Sequence, residues 1–189
     1  MRLWPTRRRP TPPTPPPGDV MVLGDVLRRN VDDLLTVADN GERNGVFLFR
    51  GQLAITPARA LTHASYANEH VPTEDQEPLA FLGDAALALV VAERLLVDDP
   101  AAPVGVLTPR RAEIVSGANL ARWAAAAGLG TLVRLGRGED QTGGRTRESI
   151  LATTLEAVIG VLYLEGGLPA VRAAIVRLVG RDGDARVVG

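Results

Sequence analysis

Residues 76–87 read QEPLAFLGDAAL, and this stretch decides the fold. Pro78 suits the first turn of a helix, and the apolar residues after it predict a helix that ends near Leu96. Because this helix is apolar almost all round, it is typical of a helix buried at the centre of a domain. Asp84 and Glu77 are two helical turns apart and should project from roughly the same face. A buried carboxylate is costly unless a cation meets it, so this stretch is where chemistry is expected.

A second apolar helix is predicted from Arg147 to Leu164, and it carries Glu156. If the two apolar helices pack against each other, Asp84 and Glu156 can converge. Converging carboxylate oxygens attract Mg²⁺, and such a site could hydrolyse a phosphodiester. Spacing alone favours a plainer interpretation, in which Glu77 caps a helix while Asp84 and Glu156 each pair with an arginine.

Proline and glycine divide the surrounding chain into further helices and loops. Three more helices are predicted, over residues 56–68, 108–127 and 169–179. Residues 72–75 are expected to form a loop, and residues 136–144 a glycine-rich loop. The fold class predicted from these elements is all-α.

The N-terminal third of the chain has a different composition. Residues 20–38 have the apolar spacing of an amphipathic helix, whereas residues 46–49 fit either a short strand or an apolar plug. Our predicted division of the chain is a disordered Pro- and Arg-rich tail over 1–18, a segment of uncertain structure over 19–55, a folded domain over 56–180 and a short tail over 181–189.

The overall composition limits the classes of partner. The chain has 189 residues, of which 46% are hydrophobic and 4% aromatic, so the core should be built from Ala, Val and Leu. The net charge of −1 predicts no nucleic-acid partner by itself, and any RNA contact must come from local clusters of arginine. All 21 basic residues are arginines.

Cysteine is absent, which excludes disulfide and thiolate chemistry, and two histidines argue against a zinc site. This composition fits a reducing cytoplasm. We expect no membrane-spanning segment, because the apolar stretch Leu79–Val97 contains three charged residues. No secretory signal is expected either, since prolines follow the arginines near the N-terminus.

Several separated motifs favour a metal-binding role for the carboxylates over the plainer interpretation. They are LTHASYANE at 61–69, QEPLAFLGDAAL at 76–87, GVLT at 105–108 with RRA at 110–112, GGRTRESILA at 143–152 and EAVIG at 156–160. In order and spacing, over about residues 60–168, they resemble the ribonuclease III family, whose signature commonly reads NERLEFLGDAVL. Several blocks in register are far more specific than one short pattern.

The resemblance implies an all-α endonuclease domain that forms a two-fold dimer. Family members hydrolyse double-stranded RNA in a metal-dependent reaction that leaves 5′-phosphate and 3′-hydroxyl ends, in processing of ribosomal and other RNA. It further implies that Asp84 and Glu156 bind Mg²⁺, or Mn²⁺, and that Glu77 assists in catalysis. Phe81 matches an apolar knob that enters a socket on the partner subunit, although core packing is an equally good interpretation.

RNA contacts are expected from arginines within the matching blocks. Solvated charge, or pairing between subunits, is an equally good explanation for them. The candidates are Arg110, Arg111, Arg145 and Arg147.

Two positions depart from the family pattern. Ala80 stands where the family has a Glu four residues before the signature Asp, and Thr153 stands where it has an Asp three residues before the last Glu. Metal affinity should therefore be reduced. No double-stranded-RNA-binding domain is expected after the last helix. RNA binding would then depend on the valley that paired subunits of this family form between them.

The departures leave three hypotheses open. The protein is an endonuclease with a depleted metal site, or a catalytically inactive dimer that binds RNA or has a structural role. In the third, the chain forms a heterodimer with an intact relative that supplies a working site.

Overall fold

The computed structural model describes residues 57–182, and this part of the chain is helical apart from turns and one isolated β-bridge. The all-α prediction is confirmed there. The predicted tail over 1–18, helix over 20–38 and strand or plug over 46–49 lie outside the described residues. In chain order the helices are α1 (Pro57–Ala60), α2 (Ala64–Glu69), α3 (Glu77–Asp98), α4 (Val104–Ile114), α5 (Gly117–Ala126), α6 (Leu129–Leu132), α7 (Arg137–Gln141) and α8 (Glu148–Asp182), with a 3-10 turn at Gly144–Thr146.

The core lies between α3 and α8, and α5 packs on the other side of α8. Leu87 of α3, Leu155 and Ile159 of α8 and Trp123 of α5 are fully buried in it. Burial of each such side chain contributes roughly 1.5–3 kcal/mol to folding. The helix that carries Glu156 is therefore central to the domain.

Helix α3 is buried on one side only, and the prediction that it is buried all round is wrong. Phe81 is 82% exposed, and Ala85 and Leu89 are exposed as well. These residues recur every four positions, so they share one face of the helix. An apolar pattern cannot distinguish a face that packs within the chain from one left open to a partner.

The helix predicted over 56–68 is interrupted between α1 and α2. Thr62 forms a parallel β-bridge with Arg134, whose backbone N–H donates to Leu61 O at 2.7 Å. His63 then caps α2, because its Nδ1 accepts from the Ser65 backbone N–H at 3.2 Å. The interruption depends on a residue about 70 positions away, which local spacing cannot reveal.

The helix predicted over 108–127 is two helices. Helix α4 begins earlier, after Pro103, so that Pro109 lies inside it instead of at its start. Ser116 separates α4 from α5, and its hydroxyl accepts from the Asn119 backbone N–H at 3.4 Å. Serine is a preferred N-cap residue, and this signal was overlooked in the sequence.

The chain around α8 agrees more closely with the sequence. Gly167 has a φ of 64°, a left-handed conformation that suits glycine, and it bends α8 between the two helices predicted over residues 147–164 and 169–179. The predicted loop over 136–144 is wrong in part, because α7 and a 3-10 turn occupy most of this region.

The stretch Glu148–Leu178 of α8 is long and apolar enough, by length and composition, to cross a membrane. Half of its most apolar window is buried inside the domain. The core position of α8 accounts for that apolarity.

Candidate active site

Two glycines allow α3 and α8 to touch backbone to backbone. A Cβ atom at Gly83 would lie 1.8 Å from the backbone oxygen of Glu156, and one at Gly160 would lie 2.2 Å from the backbone oxygen of Leu79. No side chain fits at either position. The close crossing lies next to Asp84 on one helix and at Glu156 on the other, and it brings these carboxylates together.

Asp84 and Glu156 form an unequal pair of carboxylates. Asp84 is exposed, whereas Glu156 is half-buried on the inner helix. Burial, with a smaller contribution from the negative charge of Asp84, raises the pKa of Glu156 from 4.5 to about 7. A second negative charge is thus disfavoured here unless a cation accompanies it.

Glu77 lies apart from this pair. It is the first residue of α3, it is exposed, and its backbone N–H donates to Asp75 Oδ1 at 3.0 Å. Seven residues of helix separate it from Asp84 by roughly 10 Å along the axis. Within residues 57–182, no three His, Cys, Asp or Glu side chains are placed to hold one ion.

The two positions that depart from the family pattern lie one turn before each carboxylate. Ala80 is buried in the core on α3, and Thr153 is half-buried on α8. Neither side chain carries a charge. The oxygen donors available at the crossing are therefore two carboxylates with a neutral hydroxyl nearby, a set that suits a hard divalent cation completed by water and phosphate.

A buried polar contact beneath the site was missed in the sequence. The Gln76 side chain oxygen Oε1 lies 3.3 Å from the Thr154 hydroxyl, and the Gln76 backbone N–H donates to Thr62 O at 2.9 Å. All three residues are buried. Gln76 thus links the start of α3 to α8 and to the α1–α2 junction. The available signal was an uncharged polar residue just before the start of the predicted apolar helix.

Two of the four candidate RNA-binding arginines make intramolecular hydrogen bonds. The Arg145 guanidinium donates to Val133 O at 3.0 Å and pairs with Asp140 at 2.7 Å. Arg147 pairs with Glu139 and donates to Thr142 Oγ1 at 3.1 Å. Their guanidinium N–H groups already make contacts that stabilise the segment between α6 and α8.

The other two candidates are more open. Arg111 is exposed on α4, and Arg110 is exposed with Asp99 at 3.6 Å, beyond hydrogen-bond distance. Surface ion pairs of this kind contribute little to stability. Of the four arginines, Arg110 and Arg111 are the better placed to contact an external anion.

The sequence model of the ribonuclease-III-like family matches residues 56–181, two thirds of the chain. The chain belongs to the ribonuclease III family. Curated relatives include the Ribonuclease 3 of Heliobacterium modesticaldum, 50% identical over 123 residues that cover 64% of this chain and 52% of that protein. The Ribonuclease 3 of Streptomyces coelicolor is 49% identical over 120 residues, which cover 64% of this chain and 44% of the relative. The chain spans about half the length of the curated relatives it matches.

Solved structures agree with this membership of the ribonuclease III family. The nuclease domain of ribonuclease III from Campylobacter jejuni matches with a TM-score of 0.65 and 30% identity over 82% of this chain and 95% of that domain. A second structure of this domain, with a TM-score of 0.64 and 29% identity, covers 80% of this chain and 97% of that domain and shows flexibility in a region involved in dimer formation. The ribonuclease III fold predicted from the motifs is confirmed.

Proposed function

We propose that this ribonuclease III family member is a metal-dependent endonuclease of double-stranded RNA whose metal site is weakened. The observation that carries the proposal is the convergence of Asp84 and Glu156 at the glycine crossing of α3 and α8. Family membership supports the reaction class. A reducing cytoplasm, suggested by the absence of cysteine, suits RNA processing.

Asp84 and Glu156 would hold the cation, Mg²⁺ or Mn²⁺. When bound, the cation supplies a hydroxide nucleophile at neutral pH and stabilises charge on the phosphate and the leaving oxygen. Glu156 must lose its proton to act as a ligand, because a carboxyl with a pKa of about 7 is protonated half of the time at neutral pH. Asp84 is exposed, so its side of the site is open to solvent and would accept the substrate. Glu77 is too far along α3 to bind the ion directly, and it would assist catalysis without being a ligand.

The missing carboxylates weaken this site. At about 4 Å and an effective dielectric near 20, one pair of unit charges is worth roughly 4 kcal/mol before solvent compensates. A divalent ion doubles that Coulomb energy. Phosphate oxygens from RNA can replace part of it, since Mg²⁺ commonly uses one or two protein carboxylates with water and phosphate.

A second candidate function is a catalytically inactive dimer that binds RNA or has a structural role. Ala80 and Thr153 favour it, because both uncharged residues stand where carboxylates would complete the metal site. A heterodimer with an intact relative would give one working site per assembly. The isolated protein and its mixture with an intact relative together distinguish these three possibilities.

The Phe81 face supports dimer formation. An 82% exposed phenylalanine on a core helix of a folded domain is unusual. Phe81, Ala85 and Leu89 form an apolar strip that a second copy could cover. A two-fold pairing through this strip would place two copies of the Asp84–Glu156 site in one particle.

Arg110 and Arg111 would contribute RNA contacts from α4. Recognition of an A-form duplex depends on its shape, its phosphates and its 2′-hydroxyls, so exposed guanidinium groups are suitable donors. Binding through a few phosphate contacts should weaken steeply as salt is raised.

The deciding experiment is cleavage of a long double-stranded RNA by the purified chain across a Mg²⁺ and a Mn²⁺ titration, with Glu156→Ala as the control. Cleavage that requires high metal concentrations and disappears in Glu156→Ala would support the weakened nuclease. Intact RNA at every metal concentration, with duplex binding retained, would instead support the inactive dimer. No cleavage by this chain alone, together with cleavage by the mixture that exceeds cleavage by the intact relative alone, would support the heterodimer.

A further inference from the structure

An apolar groove lies at the C-terminal end of α3. It has a volume of about 520 Å³, and its walls are the last turns of α3, Ile114 of α4 and the C-terminal part of α8. Three of its wall residues are largely exposed, namely Leu96 at 54%, Val97 at 74% and Val176 at 56%. A contiguous apolar surface of this kind marks an interaction site.

Part of the groove is separate from the Phe81 face, whereas Leu96 lies roughly 60° around the α3 axis from Phe81 and so continues the strip. At about 100° per residue, Val97 lies roughly 160° around the α3 axis from Phe81. A second copy that covers the Phe81 strip would therefore leave Val97 and the α8 side of the groove open.

The charged residues at the rim are paired with one another. Arg172 of α8 donates to Glu93 of α3, and Arg94 Nε donates to Asp98 Oδ2 at 2.7 Å. The groove therefore offers no surplus charge to attract an ionic ligand. Its occupant should present an apolar surface with polar residues at its margins.

We propose that residues 20–38 of the same chain cover this groove as an amphipathic helix. At about 100° per residue, the charged residues of this segment fall within an arc of roughly 140°. Leu23, Leu27 and Leu34 fall on the opposite side. The residues on the charged arc are Asp25, Arg28, Arg29, Asp32 and Asp33.

The connection is long enough for this placement. The described chain begins at α1, beside the start of α3, where Arg59 Nε donates to Asp75 O at 2.9 Å. The groove begins at Val90, thirteen residues along α3, which corresponds to roughly 20 Å. Residues 39–56 can extend over roughly 60 Å, so they reach the groove even when they are far from fully extended.

Engineered disulfides can test the proposal in the full chain, because it contains no cysteine. Val97→Cys is combined in turn with Leu23→Cys, Leu27→Cys or Leu34→Cys. Matched controls combine Val97→Cys with Asp25→Cys or Asp32→Cys, on the charged side. At least one leucine-side pair should form an intramolecular disulfide about tenfold faster than the controls, since thiols held together have a higher effective concentration. Non-reducing gels and peptide mass spectrometry give the rates.

Equal rates for the leucine-side and charged-side pairs would overturn the proposal. A covalent dimer as the main product would overturn it too, because the segment would then occupy the groove of a second copy. Hydrogen exchange provides an independent check. Leu27→Asp with Leu34→Asp should speed exchange at amides 93–98 and 172–176, whereas Asp25→Asn with Asp32→Asn should not. Unchanged exchange in the leucine variant would contradict the docking. Neither readout depends on RNA cleavage.

Discussion

Folding changes the proton affinity of the Glu156 carboxyl group. Its pKa rises from 4.5 to about 7, first through burial and then through the charge of Asp84. For a group whose folded-state pKa is raised, the folded state binds the proton more tightly than the unfolded state does. This contribution to stability is fully present below pH 4.5 and is lost as the pH rises through about 7.

Glu156→Gln should remove this pH dependence. In the absence of divalent cations, we expect the variant to be more stable than the wild type at pH 8 by roughly 1–2 kcal/mol, a value reduced because Glu156 is half exposed to solvent. At pH 4 the two should unfold at similar urea concentrations. Asp84→Asn should shrink the difference without abolishing it. A constant difference in the free energy of unfolding between wild type and Glu156→Gln from pH 4 to pH 8 would show that folding does not shift the pKa of this carboxyl group.

Restoring the two missing carboxylates should strengthen metal binding. We expect Ala80→Glu with Thr153→Asp to raise Mn²⁺ affinity by at least about tenfold, a conservative share of the Coulomb energy of two added charges. Isothermal titration calorimetry measures this directly, and RNA cleavage should rise with it.

The matched control for this restoration is Ala80→Gln with Thr153→Asn, which adds the same bulk without charge. Because Ala80 is buried, circular dichroism must show that both variants fold. Equal affinity in the charged and uncharged variants would mean that the crossing of α3 and α8 is not a cation site.

At the scale of elements, the site depends on the contact between α3 and α8. We expect Gly83→Ala to lower stability by at least about 2 kcal/mol, because the added Cβ forces the two helix backbones apart. Gly138→Ala is the matched control, since a Cβ there meets no atom within 4 Å and alanine favours the helix. Thermal unfolding followed by circular dichroism compares them. Similar unfolding temperatures for the two variants would refute the close backbone contact between α3 and α8.

At the scale of the whole molecule, the Phe81 face should control assembly. We expect Phe81→Ser to convert a dimer into monomers while leaving the stability of the single subunit within about 0.5 kcal/mol, because an exposed side chain contributes little to the core. Val71→Ser is the control, since Val71 is equally exposed at 82% but lies on the loop before α3. Sedimentation velocity over a range of concentrations gives the result. A dimer that persists in Phe81→Ser would place the interface elsewhere.

Element boundaries were the least accurate part of the sequence analysis. The interruption at Thr62 depends on a bridge to Arg134, which lies far away in the sequence, and the break at Ser116 was overlooked. The bend at Gly167 lies between the two helices predicted over residues 147–164 and 169–179, because a pair of glycines close to a proline is a local signal. Local chemistry was readable, whereas contacts between distant segments were not.

The sequence by itself determined the all-α class and the ribonuclease III membership, and it predicted which two carboxylates would form the site. These depend on composition, periodicity and motif order, all of which are properties of the chain alone. Only the tertiary structure decided that Gly83 and Gly160 bring Asp84 and Glu156 together, that Glu77 lies apart, and that Arg145 and Arg147 are used within the chain. The physical reason is that proximity across helices depends on how their surfaces fit, and a one-dimensional pattern does not specify that fit.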